Sequence, residues 1–295
     1  MKKNYSWKYF FQTLGDISTK HLLNSTVRYN TFIFGSSRTT SVYACYVQRK
    51  VKDSRAFHYG NWNESIGGIL EKVKLLDSLG YSLDNVIIYV DTDVTFDDDG
   101  SAKPYDHYLI AHTSKMRSRI DHFQSFISDV QNLLILAGRN PPKDQFPNWH
   151  SDPVTNDPNH TCSDSIIGTY GVRELSPADS AKIDSLRTCG FLYARGKTQQ
   201  YRDKQISASE NSMIRELADI LDKHRSKYYV VITPLYDQLK FNPEDMSVLQ
   251  AAFGGNLYDF SGINGITDDE YNYPDRKHFR PVVSKQIIDS IIRNR

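Results

Sequence analysis

Thr31-Phe32-Ile33-Phe34-Gly35-Ser36-Ser37-Arg38 is the stretch that decides the fold. A short apolar run, TFIF, stops at a glycine and two serines. Runs of this length without polar alternation suit strands buried on both faces of a sheet. Gly35 lets the chain turn sharply. In an open parallel sheet, ligands gather beyond the carboxyl ends of the strands. Ser37 stands at such an end. Taken alone, G-S-S is more often a strand-to-helix turn with a serine N-cap.

Outward from this stretch the same pattern returns. Ala56–Tyr59 is a weaker second strand, NVIIYVD at Asn85–Asp91 and YYVVITP at Tyr228–Pro234 are strong ones, and NLYDFSG at Asn256–Gly262 is a fifth. Helical stripes lie between them. Ser65–Leu79 places Ile66, Ile69, Leu70, Val73 and Leu76 on one face and ends at Gly80. Ile120–Ala137, Ser209–His224 and Val282–Ile292 repeat the pattern. Alternating strands and helices predict one α/β domain: a doubly wound, three-layer arrangement of about five mostly parallel strands in the flavodoxin-like order 2-1-3-4-5. Residues 1–30 read as an N-terminal extension and residues 31–295 as the domain. Gly138–Arg202, rich in Pro, Asn and Asp, breaks the rhythm and reads as an insertion or lid. It carries Phe146, Trp149, Tyr170, His150 and His160, a mix suited to sugar-like ligands.

The 295 residues, 39% hydrophobic and 24% charged, describe a chain able to bury a large core. With 36 basic and 35 acidic residues the net charge is +1, without the basic excess of a nucleic-acid binder. Cys45, Cys162 and Cys189 are too sparse for a disulfide framework and read as buried or idle thiols, with one pair open in an exported protein. No stretch approaches the roughly 20 apolar residues of a membrane span. The opening MKKNYSWKYFFQTLGD is too polar for a signal-peptide core. Two placements stay open: cytoplasmic, or envelope-associated if an anchor was omitted. Membrane association and oligomeric state are not readable.

The second chemical motif is Tyr273-Pro274-Asp275-Arg276-Lys277-His278-Phe279-Arg280. Asp and His three apart on a turn can set a carboxylate beside an imidazole, fixing the tautomer that accepts a serine proton. Alone, a D-x-x-H is more often a solvated loop. Paired with a strand-end serine it points to nucleophilic catalysis.

Together these motifs resemble the SGNH (GDSL-like) hydrolase superfamily, in the bacterial branch where G-S-S-R replaces G-D-S-L and the C-terminal block reads D-x-x-H-F. The resemblance runs from Thr31 to Arg280. It implies Ser37 as nucleophile and Asp275 and His278 as its partners. It further implies a serine esterase or acyl transferase acting on acyl esters of a carbohydrate or other envelope component, without a cofactor or metal. The family's oxyanion hole uses the nucleophile's N–H, a glycine after the second strand and an asparagine after the third. The glycine is one of Gly60, Gly67 and Gly68, with Gly67 preferred; Arg38 and Asn63 are further binding candidates. At the asparagine position the chain has Asp93, and an ionised carboxylate cannot donate to an oxyanion. Either Asn61 or Asn63 serves instead, or activity is reduced or lost, leaving an SGNH-fold binding module.

A rival motif overlaps this departure. Asp91-Thr92-Asp93-Val94-Thr95 fits D-x-D-x-T, which resembles the first motif of HAD-type phosphatases, with Asp91 as nucleophile and Asp93 as acid/base. Thr233 imitates the second motif, but the later Lys and strand-end acidic pair are missing. A calcium loop fails because the sixth position from Asp91 is Phe96, where such loops need Gly.

Overall fold

The computed structural model describes residues 14–96, 170 and 174–293. The helix expected at Ile120–Ala137 and most of Gly138–Arg202 lie outside the described residues. Five strands form the central sheet: β1 (Thr31–Phe34), β2 (Ala56–His58), β3 (Asn85–Val90), β5 (Lys227–Ile232) and β7 (Leu257–Asp259). Their order is β2-β1-β3-β5-β7 and every pairing is parallel. Renumbered within the sheet, that is the expected 2-1-3-4-5. Thr31 aligns with Ala56 on one side and Asn85 on the other, and Asn85 aligns with Lys227. Two-residue strands β4 (Gln200–Tyr201) and β6 (Leu239–Lys240) pair separately.

The three inner strands are apolar at successive positions between their ends because each feeds two cores. Phe32, Phe34, Val86, Ile88, Val90, Tyr228, Val230 and Ile232 face one. Ile33, Ile87, Tyr89, Tyr229 and Val231 face the other. This is the two-residue alternation of a pleated strand with both faces covered. On the first face lie α1 (Leu14–Asn24), α3 (Ile66–Ser78), α5 (Ala208–Lys223) and α6 (Pro243–Phe253), contributing Leu22, Ile69, Leu217 and Phe253 among others. On the second lie α2 (Ala44–Lys50), α4 (Pro177–Thr188) and α7 (Pro281–Arg293), with Val47, Ile183, Val283 and Ile287. The result is a three-layer, doubly wound fold.

Helices α4 and α6 were not anticipated from periodicity. Their start signals are nonetheless in the chain. Ser176 and Asn242 accept from the backbone N–H groups of Asp179 and Asp245, and each is followed by proline at the first helical position. Both helices bury too narrow a face to give a clear stripe; Ile183 is the buried residue of α4. Helix α1 joins the domain: Leu22 enters the first core and Thr19 Oγ1 lies 2.6 Å from Tyr59 Oη. The expectation of idle thiols is corrected at Cys45, which is disulfide-bonded, whereas Cys189 is free and exposed. No helix among the described residues is long and apolar enough to cross a membrane.

The chain leaves β1 toward β2 and returns to β3 on β1's other side. That reversal opens a crevice at the carboxyl ends of β1 and β3. Ser37 follows β1 there, and Asp91 and Asp93 follow β3.

Candidate active site

Gly35 is forced by packing. Its φ is +153°, and a Cβ would lie 2.5 Å from Thr39 Cγ2 and 2.9 Å from Tyr89 Cβ. The chain therefore turns immediately into a 3₁₀ segment, Ser37–Ser41, capped by Ser36. The two serines take different tasks. Ser36 Oγ accepts from the N–H of Arg38 and donates to Asp91 Oδ2 at 2.5 Å. Ser37 Oγ lies 3.1 Å from His278 Nε2, across 241 residues of sequence.

His278 is oriented from its other nitrogen. Nδ1 sits 3.0 Å from Asp275 Oδ2 and 3.1 Å from Oδ1. An ionised carboxylate only accepts, so Nδ1 carries the proton and Nε2 is left to accept from the Ser37 hydroxyl. Asp275 Oδ1 also accepts the N–H groups of Lys277 and His278, at 2.7 and 2.9 Å. Burial pushes the Asp275 carboxyl up. The hydrogen bonds from the His278 ring and the Lys277 N–H outweigh it and hold the group at about 2. The pair stands at an open rim, with the His278 and Asp275 side chains 38% and 39% exposed.

Beneath the rim lies a buried charge cluster. Arg38 and Asp91 are 3% and 1% exposed, and Arg38 Nη1 meets Asp91 Oδ2 at 2.9 Å. Nη2 meets Asp93 Oδ2 at 2.8 Å, and Nε donates to the Lys277 carbonyl at 2.7 Å. Thr233, just past β5, donates to Asp91 Oδ1 at 2.6 Å. Burial alone would lower the Arg38 pKa, but the charges of Asp91 and Asp93 raise it above the ordinary value. Arg38 thus ties together the ends of β1 and β3 and the loop that carries His278. Two further contacts fix that loop: Phe279 is buried in the second core, and Ser284 on α7 meets Ser41 at 2.6 Å.

The contacts therefore join five of the sequence-selected residues: Ser37, His278, Asp275, Arg38 and Asp93. They do not join the others. Gly67 is the second residue of α3 and is buried; the neighbouring Ile66 N–H donates to Thr95 O at 3.0 Å, which sets this helix start against the loop after β3. Asn63 is exposed in a turn with φ +46°. Gly60 is the glycine packed on the turn that carries Ser37: a Cβ there would lie 2.9 Å from Gly35 O and 3.1 Å from Thr39 Oγ1. Asn61 is buried beside it, its N–H on Gly35 O and its Oδ1 accepting from Gly15 and Trp62. Asp93 keeps one buried oxygen, Oδ1, without a hydrogen-bond partner.

Other expectations change with burial. Asp91 has Thr233 on one oxygen and Ser36 with Arg38 on the other, which leaves it poorly placed to attack a phosphate. Among the described residues no group of three or more His, Cys, Asp or Glu is arranged to hold a metal ion. Tyr170, expected on a cover over the site, instead packs in the second core. It stacks 4.5 Å from Tyr43 and donates to Ser41 O at 3.2 Å. Phe146, Trp149, His150 and His160 lie outside the described residues. A cavity of about 600 Å³, lined by Leu175, Gly265, Asp268, Asp269, Tyr271 and Arg280, contains none of Ser37, Asp275 and His278.

G-S-S signalled a serine cap, which Ser36 supplies, but nothing in the sequence signalled Asp91 and Thr233 as buried anchors of the site. D-T-D and the strand-end Thr were noticed, but as parts of a phosphatase motif. No local signal told a buried anchor from a nucleophile. No protein-family model matches the chain, and no curated protein matches it.

Proposed function

We propose that the chain is a serine esterase or acyl transferase of SGNH type, acting on acyl esters of a carbohydrate or other envelope component. The observation that carries this reading is the unbroken hydrogen-bonded line Ser37–His278–Asp275, built from the two ends of the chain at the sheet's switch point.

Serine needs a positioned base. Ser37 Oγ attacks the ester carbonyl carbon while its proton passes to His278 Nε2. Asp275 stabilises the imidazolium that results and is not itself protonated. As the tetrahedral intermediate collapses, the carbon–oxygen bond to the alcohol breaks and His278 returns the proton to the leaving oxygen. Water, or a sugar hydroxyl in a transferase, then attacks the acyl-serine with the same proton traffic. The N–H groups of Ser37 and Gly60 are the donors best placed by sequence and packing to meet the oxyanion. Asp93 cannot donate, but Arg38 on its Oδ2 offsets its charge.

A second reading, a binding module with a degenerate site, draws on Asp93 itself, whose unpartnered Oδ1 stands where the resembling family supplies an amide donor. Covalent labelling by a fluorophosphonate, located by mass spectrometry, separates the two. An activated nucleophile takes the label at Ser37. Folded protein that stays unlabelled at Ser37 speaks for the binding module.

A further inference from the structure

The surface beside the triad loop carries two aromatic rings that the core does not use. Phe191 and Tyr193 follow α4 and are 40% and 41% exposed, while Leu192 between them is buried in the second core. Tyr193 is held in place: the Tyr236 hydroxyl donates to its carbonyl at 2.7 Å, and the two rings meet edge-on at 5.5 Å. Exposed aromatic area is costly to leave in water, and here it is fixed rather than folded away.

Both rings touch the triad loop. The Arg276 guanidinium lies 4.6 Å from the Phe191 centroid and 5.8 Å from that of Tyr193. Arg276 is the residue after Asp275, whose carboxylate is engaged by His278. Neither Arg276 nor the next residue, Lys277, pairs its side chain with a carboxylate among the described residues. The guanidinium of Arg276 is a planar N–H fork, the group that can grip a carboxylate or phosphate with two parallel bonds. Two exposed rings thus stand beside a guanidinium on the loop that carries the catalytic base.

We propose that Phe191, Tyr193 and Arg276 form a subsite for an acidic sugar residue, whose ring covers the aromatic faces and whose carboxylate or phosphate meets Arg276. The inference rests on the esterase reading for the position of the reacting ester. The binding itself does not depend on that reading.

The test uses the full chain carrying Ser37→Ala, so that no ester turns over. Its mobility is followed in native gels cast with O-acetylated polygalacturonate, with phosphomannan or with neutral acetylated xylan. Retardation by one or both acidic polymers and not by xylan is expected, and the two acidic arms tell carboxylate from phosphate. Arg276→Ala should weaken the retardation constant about tenfold and Tyr193→Ala about fivefold, while Tyr193→Phe, which keeps the ring, should retain it. Lys204→Ala removes the same charge from a distant exposed site and should change nothing. Arg276→Lys, a milder change, should fall between wild type and Arg276→Ala. Equal loss in the Arg276→Ala and Lys204→Ala proteins would reduce the effect to net charge and overturn the proposal, as would equal retardation by xylan. Fluorophosphonate labelling of Ser37 in the wild-type chain, with no retardation of the Ser37→Ala protein, sinks the subsite and leaves the esterase. Retardation of the Ser37→Ala protein, with Ser37 of the wild-type chain unlabelled, does the reverse.

Discussion

The triad and the charge cluster beneath it are neighbours built on opposite terms. Ser37, His278 and Asp275 meet at an open rim, held by a tight local turn that Asp275 closes with its own carboxylate. Arg38, Asp91 and Thr233 are buried and join segments far apart in the chain. A buried ion pair adds little net stability, since desolvation offsets attraction, but leaving one partner alone is severe. Substitutions in the upper layer should therefore cost little stability, and loss of one charge from the buried pair in the lower layer should cost much. Position is set from below: Arg38 grips the Lys277 carbonyl, one residue before His278.

Four substitutions break or sharpen this contrast, from the largest effect to the smallest. Ser37→Ala should lower ester turnover by about 10⁴- to 10⁶-fold and leave the urea midpoint almost unmoved. A large stability loss would erase the distinction between the layers. Arg38→Met leaves Asp91 and Asp93 with nothing to balance them and should cost about 3–5 kcal/mol in urea unfolding. Adding Asp91→Asn should recover part of that loss, and an unchanged midpoint in the single variant would remove the anchor role.

Asp275→Asn frees the imidazole to take the wrong tautomer and should cost about 10³-fold in turnover with little change in stability. The pH dependence follows from the lowered pKa. A depressed carboxyl contributes stability that is present above the unfolded value near 4 and is lost as pH falls through about 2. The group is well exposed, so this contribution is small and weakened by salt. Asp275 stays ionised through roughly pH 4 to 8, so its protonation shapes no part of the rate profile there. A wild-type rate limb with its midpoint between about pH 4 and 8 that vanished in Asp275→Asn would contradict this. Asp93→Asn is the mildest change. Arg38 keeps Asp91, so stability should move by less than about 1 kcal/mol. Turnover should rise a few-fold as an amide donor replaces the carboxylate. A fall in turnover would show that the Asp93 charge serves to hold Arg38.

Much of the architecture could be read from local pattern. The runs at Phe32–Phe34, Val86–Val90 and Tyr228–Ile232 are apolar at successive positions, which suits a strand covered on both faces. Alternation with helical stripes then gave a parallel sheet and its order. Asp275 and His278, three apart in one turn, were legible for the same reason, because their geometry is local. Ser37 was legible as a strand-end serine whose neighbour had to be chosen by resemblance. Helices α4 and α6 were missed because a weakly amphipathic helix announces itself by its cap and not by its stripe.

The assignment of roles to like residues belonged to the tertiary structure. Ser36 and Ser37 are adjacent and chemically identical, yet one bonds Asp91 and the other His278. Asp91 and Asp93 fit a nucleophile–acid motif on paper, and burial beside Arg38 and Thr233 turned Asp91 into an anchor. Tyr170 passed from a surface candidate to the second core in the same way. The sequence by itself determined periodicity and local turns, because those depend on residues a few positions apart. Only the folded chain decided which oxygen meets which nitrogen, because a charge or hydroxyl takes its role from its burial and from partners 55 and 241 residues away.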